Sequence, residues 1–109
     1  MNWRDEIERE LARAEEAARV GQAGKVRTSA RRSVGIALEE LQRRFPEKIY
    51  GRDFIGQLRG LAADHSVPED VRLAADRLQA RLSPSFESPS RNPIEDANII
   101  IDFVLKRLA

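Results

Sequence analysis

Apolar residues recur three or four positions apart along most of the chain, the spacing of one face of an α-helix. In the first such run, from Trp3 to Val20, residues of opposite charge also stand four apart on the other faces. The second run extends from Lys25 to Phe45 and ends there because a residue that precedes a proline avoids the α region. The intervening VGQAG segment predicts a short turn, so we expect the two long helices to form a hairpin.

Two shorter helices are predicted in the middle of the chain. Asp53 is placed to cap the first, whose apolar spacing continues as far as His65. The segment Ser66–Glu69 reads S-x-x-E and predicts a capping box at the start of the second. Leu73 lies off the apolar stripe of that helix, as expected for a residue that touches a neighbouring element or a partner.

The segment from residue 83 to residue 91, SPSFESPSR, combines four serines with two prolines and predicts the longest loop of the chain. Phe86 stands in its middle. It either packs the loop against the protein or presents an aromatic ring to a partner.

The last predicted helix, from Asn92 to Leu108, is the most apolar segment of the chain. Asn92 can cap it and Pro93 suits its first position, where a missing N–H costs nothing. Ile99 and Phe103 project from the side opposite the main apolar stripe. Either other helices of the chain cover them, or they form an interface with a second subunit. The main stripe comprises Ile94, Ala97, Ile101, Val104, Leu105 and Leu108.

These patterns predict an all-α fold: an antiparallel bundle of about five helices, two long N-terminal, two short in the middle and one apolar C-terminal. The length of 109 residues predicts a single domain covering residues 1–109. Lysine and arginine number 19 against 18 acidic residues, so the near-neutral charge does not favour nucleic acid or a membrane as partner.

Several kinds of chemistry are disfavoured by composition. The sequence has no cysteine and one histidine, and neither a phosphate-binding glycine loop nor a glutamate–histidine pairing occurs. We therefore predict no cofactor and no metal site. The N-terminal segment is charged and lacks an apolar signal region, so we expect a cytoplasmic location.

One basic surface is a candidate site. Lys25, Arg27, Arg31 and Arg32 open the outer side of the second helix, interleaved with small hydroxyl residues. Such a pattern is typical of a nucleotide- or phosphate-binding surface, but also of a solvated face that balances the acidic first helix. No aromatic residue is placed among them for base stacking, which counts against nucleic acid.

A second candidate is the sequence R-G-L-A-A-D-H, in which Arg59 and His65 are separated by five residues. Together with the second-helix segment A-R-R-S-V-G-I-A-L-E-E-L and the apolar last helix, it resembles the R-x(4–6)-H motif and helix pattern of the HEPN family. That resemblance implies a small, usually dimeric helical domain. In RNA-cleaving members the histidine handles a proton and the arginine the phosphate, roles that would fall to His65 and Arg59.

The function that the sequence favours is a non-catalytic, HEPN-like interaction module that forms a homodimer or binds an unidentified protein. Its predicted interface residues are Ile99, Phe103 and Leu73. The alternatives are a metal-independent ribonuclease that uses Arg59 and His65, and a nucleotide- or phosphate-binding module.

Overall fold

The computed structural model describes residues 2–47, 50–80 and 90–109, which form five α-helices and no strand. The predicted all-α bundle of two long, two short and one apolar helix is confirmed. Phe86 and most of the predicted loop from residue 83 to residue 91 lie outside the described residues. The helices are α1 (Trp3–Arg19), α2 (Ala23–Arg44), α3 (Phe54–Ala63), α4 (Glu69–Gln79) and α5 (Pro93–Leu108).

Side-chain caps fix the start of three helices. Asn2 Oδ1 accepts a hydrogen bond from the backbone N–H of Asp5 at 2.9 Å, which opens α1. Asp53 accepts in the same way from Gly56 at 2.6 Å, and Asn92 from Glu95 at 3.1 Å. The caps predicted at Asp53 and Asn92 are thereby confirmed.

The turn between α1 and α2 is shorter than the sequence suggests. Gly21 adopts a left-handed backbone with φ +78°, and the N–H of Gln22 donates to the carbonyl of Ala17 at 2.8 Å. Because these contacts complete the turn, α2 restarts at Ala23 and includes Gly24 in its first turn.

The capping box predicted at Ser66–Glu69 is wrong. Pro68 occupies the N-cap position of α4, and the Ser66 hydroxyl donates to the carboxylate of Asp64 at 2.6 Å. Ser66 therefore helps to shape the turn that follows α3. His65 lies in this turn, beyond the end of α3, and is exposed.

α5 packs against both α2 and α4. Ile100 is fully buried. Ile99 and Phe103 are partly buried and pack against the core. One cluster of buried apolar side chains includes residues of all five helices.

Candidate functional site

The predicted catalytic pair does not share contacts within the chain. Arg59 is exposed, and its Nε donates to Gln79 Oε1 at 3.0 Å, at the C-terminal end of α4. The ring of His65 lies at the other end of this helix, with Nδ1 3.4 Å from Arg72 Nη1. Arg72 and Gln79 are seven residues apart, roughly 10 Å along the axis of an α-helix. The side chains of Arg59 and His65 therefore engage opposite ends of α4, and the ribonuclease hypothesis stays a prediction.

The glycine after Arg59 has a structural role. A Cβ atom at Gly60 would lie 2.7 Å from the carbonyl oxygen of Tyr50 and 2.8 Å from its Cα. The backbone of the α2–α3 connector thus passes directly over α3 at this position. The Tyr50 hydroxyl fastens the same connector by donating to Asp64 Oδ2 at 2.8 Å. Burial, followed by this bond, raises the pKa of Tyr50.

The four predicted phosphate-binding residues divide into two pairs. Lys25 and Arg32 are exposed and line a groove of about 700 Å³ between α1 and α2. Arg27 and Arg31 point elsewhere, toward the C-terminal end of α4. The four cations therefore do not form one surface, and only Arg27 and Arg31 are half-buried.

Arg27 and Arg31 bind the last carbonyl groups of α4. Arg31 Nε donates to the carbonyl of Leu78 at 2.6 Å, and its Nη2 lies 3.4 Å from the Ala80 oxygen. Arg27 Nη2 donates to the same Ala80 oxygen. Both arginines thus occupy a position where the helix dipole favours positive charge.

These two guanidinium groups also perturb each other. Both are half-buried, and burial lowers the pKa of each. The neighbouring charge of Arg27 lowers the pKa of Arg31 further. Arg27 Nε is buried without a hydrogen-bond partner among the described residues. The pair is therefore held at a helix end, and no ion pair with a carboxylate is formed by either arginine among the described residues.

A groove of about 900 Å³ opens beside this pair. Its walls come from the α1–α2 turn, the first half of α2 and the start of α5. Arg91 adds a third cation, and none of the described residues that line the groove is acidic. Val26, Pro93 and Ile94 supply apolar surface. No pattern in the sequence predicts this groove, because it joins segments far apart in the chain.

The predicted interface residues lie on α4 and α5, two helices that pack against each other. Leu73 is 49% exposed, whereas Ile99 and Phe103 are partly buried. Leu73 and Arg77 are four residues apart on α4, and Asp96 shares one side of α5 with Ile99 and Phe103. We name the surface formed by Leu73, Ile99 and Phe103 the α4/α5 flank.

An ion pair that the sequence analysis missed joins the two helices on this flank. Arg77 Nη2 donates to Asp96 Oδ1 at 2.8 Å, and Arg77 Nε lies 3.2 Å from both carboxylate oxygens. The Ser90 hydroxyl donates to Asp96 Oδ2 at 2.5 Å. Asp96 is buried, and its hydrogen bond raises the pKa of Arg77. The helix dipole alone favours an acidic residue in the first turn of a helix, as Asp96 is in α5. Its position in the sequence therefore does not indicate a contact with α4.

The part of the chain that the structure describes contains no cluster of three or more histidine, cysteine or acidic residues suited to a metal ion. None of its helices combines the length and apolarity needed to cross a membrane. A scan against models of protein families and searches of curated proteins and solved structures found no match.

Proposed function

We propose that the protein is a non-catalytic, HEPN-like interaction module of the cytoplasm, and that it pairs with a second copy of itself through the α4/α5 flank. The observation that carries this proposal is the exposure of Leu73, 49%, on a helix that packs against α5, which carries Ile99 and Phe103. Full burial of an exposed leucine stabilises by about 1.5–3 kcal/mol, so a partner that covers the exposed half of Leu73 contributes about half of that.

Charge around the flank favours a second copy over an unrelated partner. At 100° per residue, Glu95, Ile99, Phe103 and Lys106 fall within an arc of about 80° on α5. Glu95 and Lys106 are exposed and stand at nearly equal distances on either side of the Ile99–Phe103 centre. Two α5 helices that cross antiparallel about a two-fold axis would bring Glu95 of each copy toward Lys106 of the other.

Such an arrangement also places the apolar residues correctly. The same two-fold axis brings Ile99 of one copy toward Phe103 of the other, and Leu73 of each α4 borders the contact. An isologous interface needs one surface that is complementary to itself, which this pattern of acid, apolar pair and base provides. A parallel crossing would instead oppose like charges. The resemblance to HEPN proteins, which are usually dimeric, points the same way.

Sedimentation equilibrium across the micromolar range tests the proposal. We expect a dimer for the wild-type chain and a monomer for Leu73→Glu, because the new carboxylate would be buried against an apolar surface. Val20→Glu is the matched control: Val20 is 51% exposed but lies at the α1–α2 turn, so this variant should stay dimeric. A wild-type monomer throughout, or a dimer that survives Leu73→Glu, would refute the proposed interface.

A charge exchange tests the orientation of the two copies. Lys106→Glu should weaken the dimer, since acidic residues would then meet across the two-fold axis. Adding Glu95→Lys should restore it by exchanging the two signs. If the double variant is as weak as the single one, α5 does not pair antiparallel in the dimer. Urea denaturation of each variant separates loss of pairing from loss of folding.

A further inference from the structure

We propose that the groove beside Arg27 and Arg31 binds a phosphate group, either free or carried by a small organic molecule. The two arginines are the phosphate-binding residues. This inference does not rest on pairing through the α4/α5 flank, because the groove is formed by other residues, at the α1–α2 turn and the start of α5.

Charge is the first argument. Arg27 and Arg31 are one turn apart on α2, and both contact the Ala80 carbonyl, so their guanidinium groups are neighbours. Among the described residues, their hydrogen-bond partners are the backbone carbonyls of Leu78 and Ala80. Carbonyl dipoles compensate two desolvated cations only in part. An anion bound between the arginines would offset their mutual repulsion.

The available donors are the second argument. A guanidinium carries five N–H groups, and Arg27 uses one nitrogen, Nη2, on the Ala80 carbonyl. Its Nε is buried and unpartnered within the described chain. A buried donor without an acceptor is unfavourable, so the contacts of Arg27 within the described chain do not satisfy its guanidinium group fully. The fork of an arginine matches two oxygens of one phosphate, so the N–H groups of Arg27 that the Ala80 carbonyl does not use suit such a ligand.

The shape of the groove is the third argument. Its volume of about 900 Å³ exceeds that of a bare phosphate ion and is within the range of small-molecule sites. Val26, Pro93 and Ile94 provide an apolar wall for an organic group. The first turns of both α2 and α5 line the same groove, and the backbone N–H groups of Ala23, Gly24 and Ile94 add positive potential. We therefore expect an organic phosphate to bind more tightly than inorganic phosphate.

Calorimetric titration of the full chain tests this site at constant ionic strength, set with chloride. The probes are inorganic phosphate, AMP and adenosine. We expect AMP to bind, inorganic phosphate to bind more weakly, and adenosine, which has no phosphate, to show no binding. If neither AMP nor inorganic phosphate binds above the chloride background, the proposal is overturned. If both bind equally, the ligand is free phosphate and the expectation of an organic group is wrong.

Two matched variants locate the binding. Arg27→Met removes a cation of the groove and should weaken AMP binding at least about tenfold, equivalent to 1.4 kcal/mol. Lys25→Met makes the same kind of change on α2 but outside this groove, and should leave the affinity unchanged. Equal losses in the two variants, or unchanged binding in Arg27→Met, would overturn the assignment. Arg27→Lys, which keeps the charge without the fork, serves if Arg27→Met does not fold.

The same variants distinguish binding in the groove from binding of nucleic acid to the exposed face of α2. A single-stranded RNA oligonucleotide that binds more tightly than AMP, and whose affinity falls with Lys25→Met rather than Arg27→Met, would move the site to the exposed face and overturn the proposal. Failure of AMP binding leaves the dimer experiments unaffected, since their readout is molecular mass.

Discussion

Arginine side chains fasten α4 at two places, and the two places differ in how the charge is compensated. On the α4/α5 flank, Arg77 meets the buried carboxylate of Asp96, which also accepts from Ser90. At the C-terminal end of α4, Arg27 and Arg31 meet backbone carbonyls, and no acidic residue lines the adjacent groove in the described ranges.

The difference separates a structural contact from a candidate binding site. A guanidinium paired with a carboxylate has little to gain from another anion, and its loss leaves a buried charge behind. Two adjacent guanidiniums on carbonyl oxygens retain donors and positive potential that a ligand can use. Each arrangement therefore predicts its own response to mutation and to salt.

Removal of Arg77 should have the largest effect. Breaking a buried ion pair costs about 3–5 kcal/mol, but the 39% exposure of the Arg77 side chain lets water approach the remaining charge. We therefore expect Arg77→Met to lower the free energy of unfolding by about 2 kcal/mol, measured by urea denaturation. Methionine keeps most of the apolar stem, so the loss reports mainly on the charge.

Two controls sharpen this prediction. Arg19→Met breaks a pair with Glu16 on the surface of α1, where both side chains are largely exposed, and should leave the urea midpoint unchanged. Asp96→Asn added to Arg77→Met should recover part of the loss, because no unpaired charge then stays buried. Equal effects of Arg77→Met and Arg19→Met would mean that the α4–α5 ion pair is structurally neutral.

The helices themselves could be predicted because their signals are local. Asn92 and Pro93 mark the start of α5 within two positions, and the apolar spacing of each run identifies its helix. The capping box at Ser66 failed for a related reason: the carboxylate of Asp64 accepts from both the backbone N–H and the hydroxyl of Ser66. In a capping box that N–H would donate to Glu69 instead, and local rules choose poorly between two acceptors that are both within reach.

The sequence indicated Arg27 and Arg31 as candidates, but the geometry of the candidate sites could not be predicted because their contacts join distant parts of the chain. Arg77 and Asp96 are 19 residues apart, and Arg31 reaches a carbonyl 47 residues away. The sequence grouped Lys25, Arg27, Arg31 and Arg32 by proximity along α2. Their separation into two grooves depends on where α4 ends against α2, and no periodicity in the sequence encodes that position.

Arg31→Met, which removes contacts at the C-terminal end of α4, should have an intermediate effect on the free energy of unfolding. The variant loses the bonds to Leu78 and Ala80, and hydrogen bonds from charged donors contribute about 1.5–3 kcal/mol. Relief of the repulsion from Arg27 offsets part of this loss, so we expect a net cost of about 1 kcal/mol in urea denaturation. The control is Arg32→Met at the adjacent exposed position, where no change is expected. A loss as large as that of Arg77→Met would show that the repulsion is negligible.

Arg27→Met should change the free energy of unfolding least. The salt dependence of its stability distinguishes the contacts of Arg27 and Arg31 at the end of α4 from the Arg77–Asp96 ion pair. This variant loses a single carbonyl contact but frees Arg31 from a neighbouring cation, so the two effects nearly cancel. Chloride screens repulsion between like charges. Added chloride should therefore stabilise the wild type more than Arg27→Met. It should stabilise Arg77→Met at least as much as the wild type, because this variant keeps both Arg27 and Arg31 and lacks the ion-pair attraction that salt weakens. Urea midpoints at low and high chloride measure these differences. If chloride shifts the wild type and Arg27→Met equally, Arg27 and Arg31 do not repel, and the contrast with the Arg77–Asp96 pair loses its electrostatic basis.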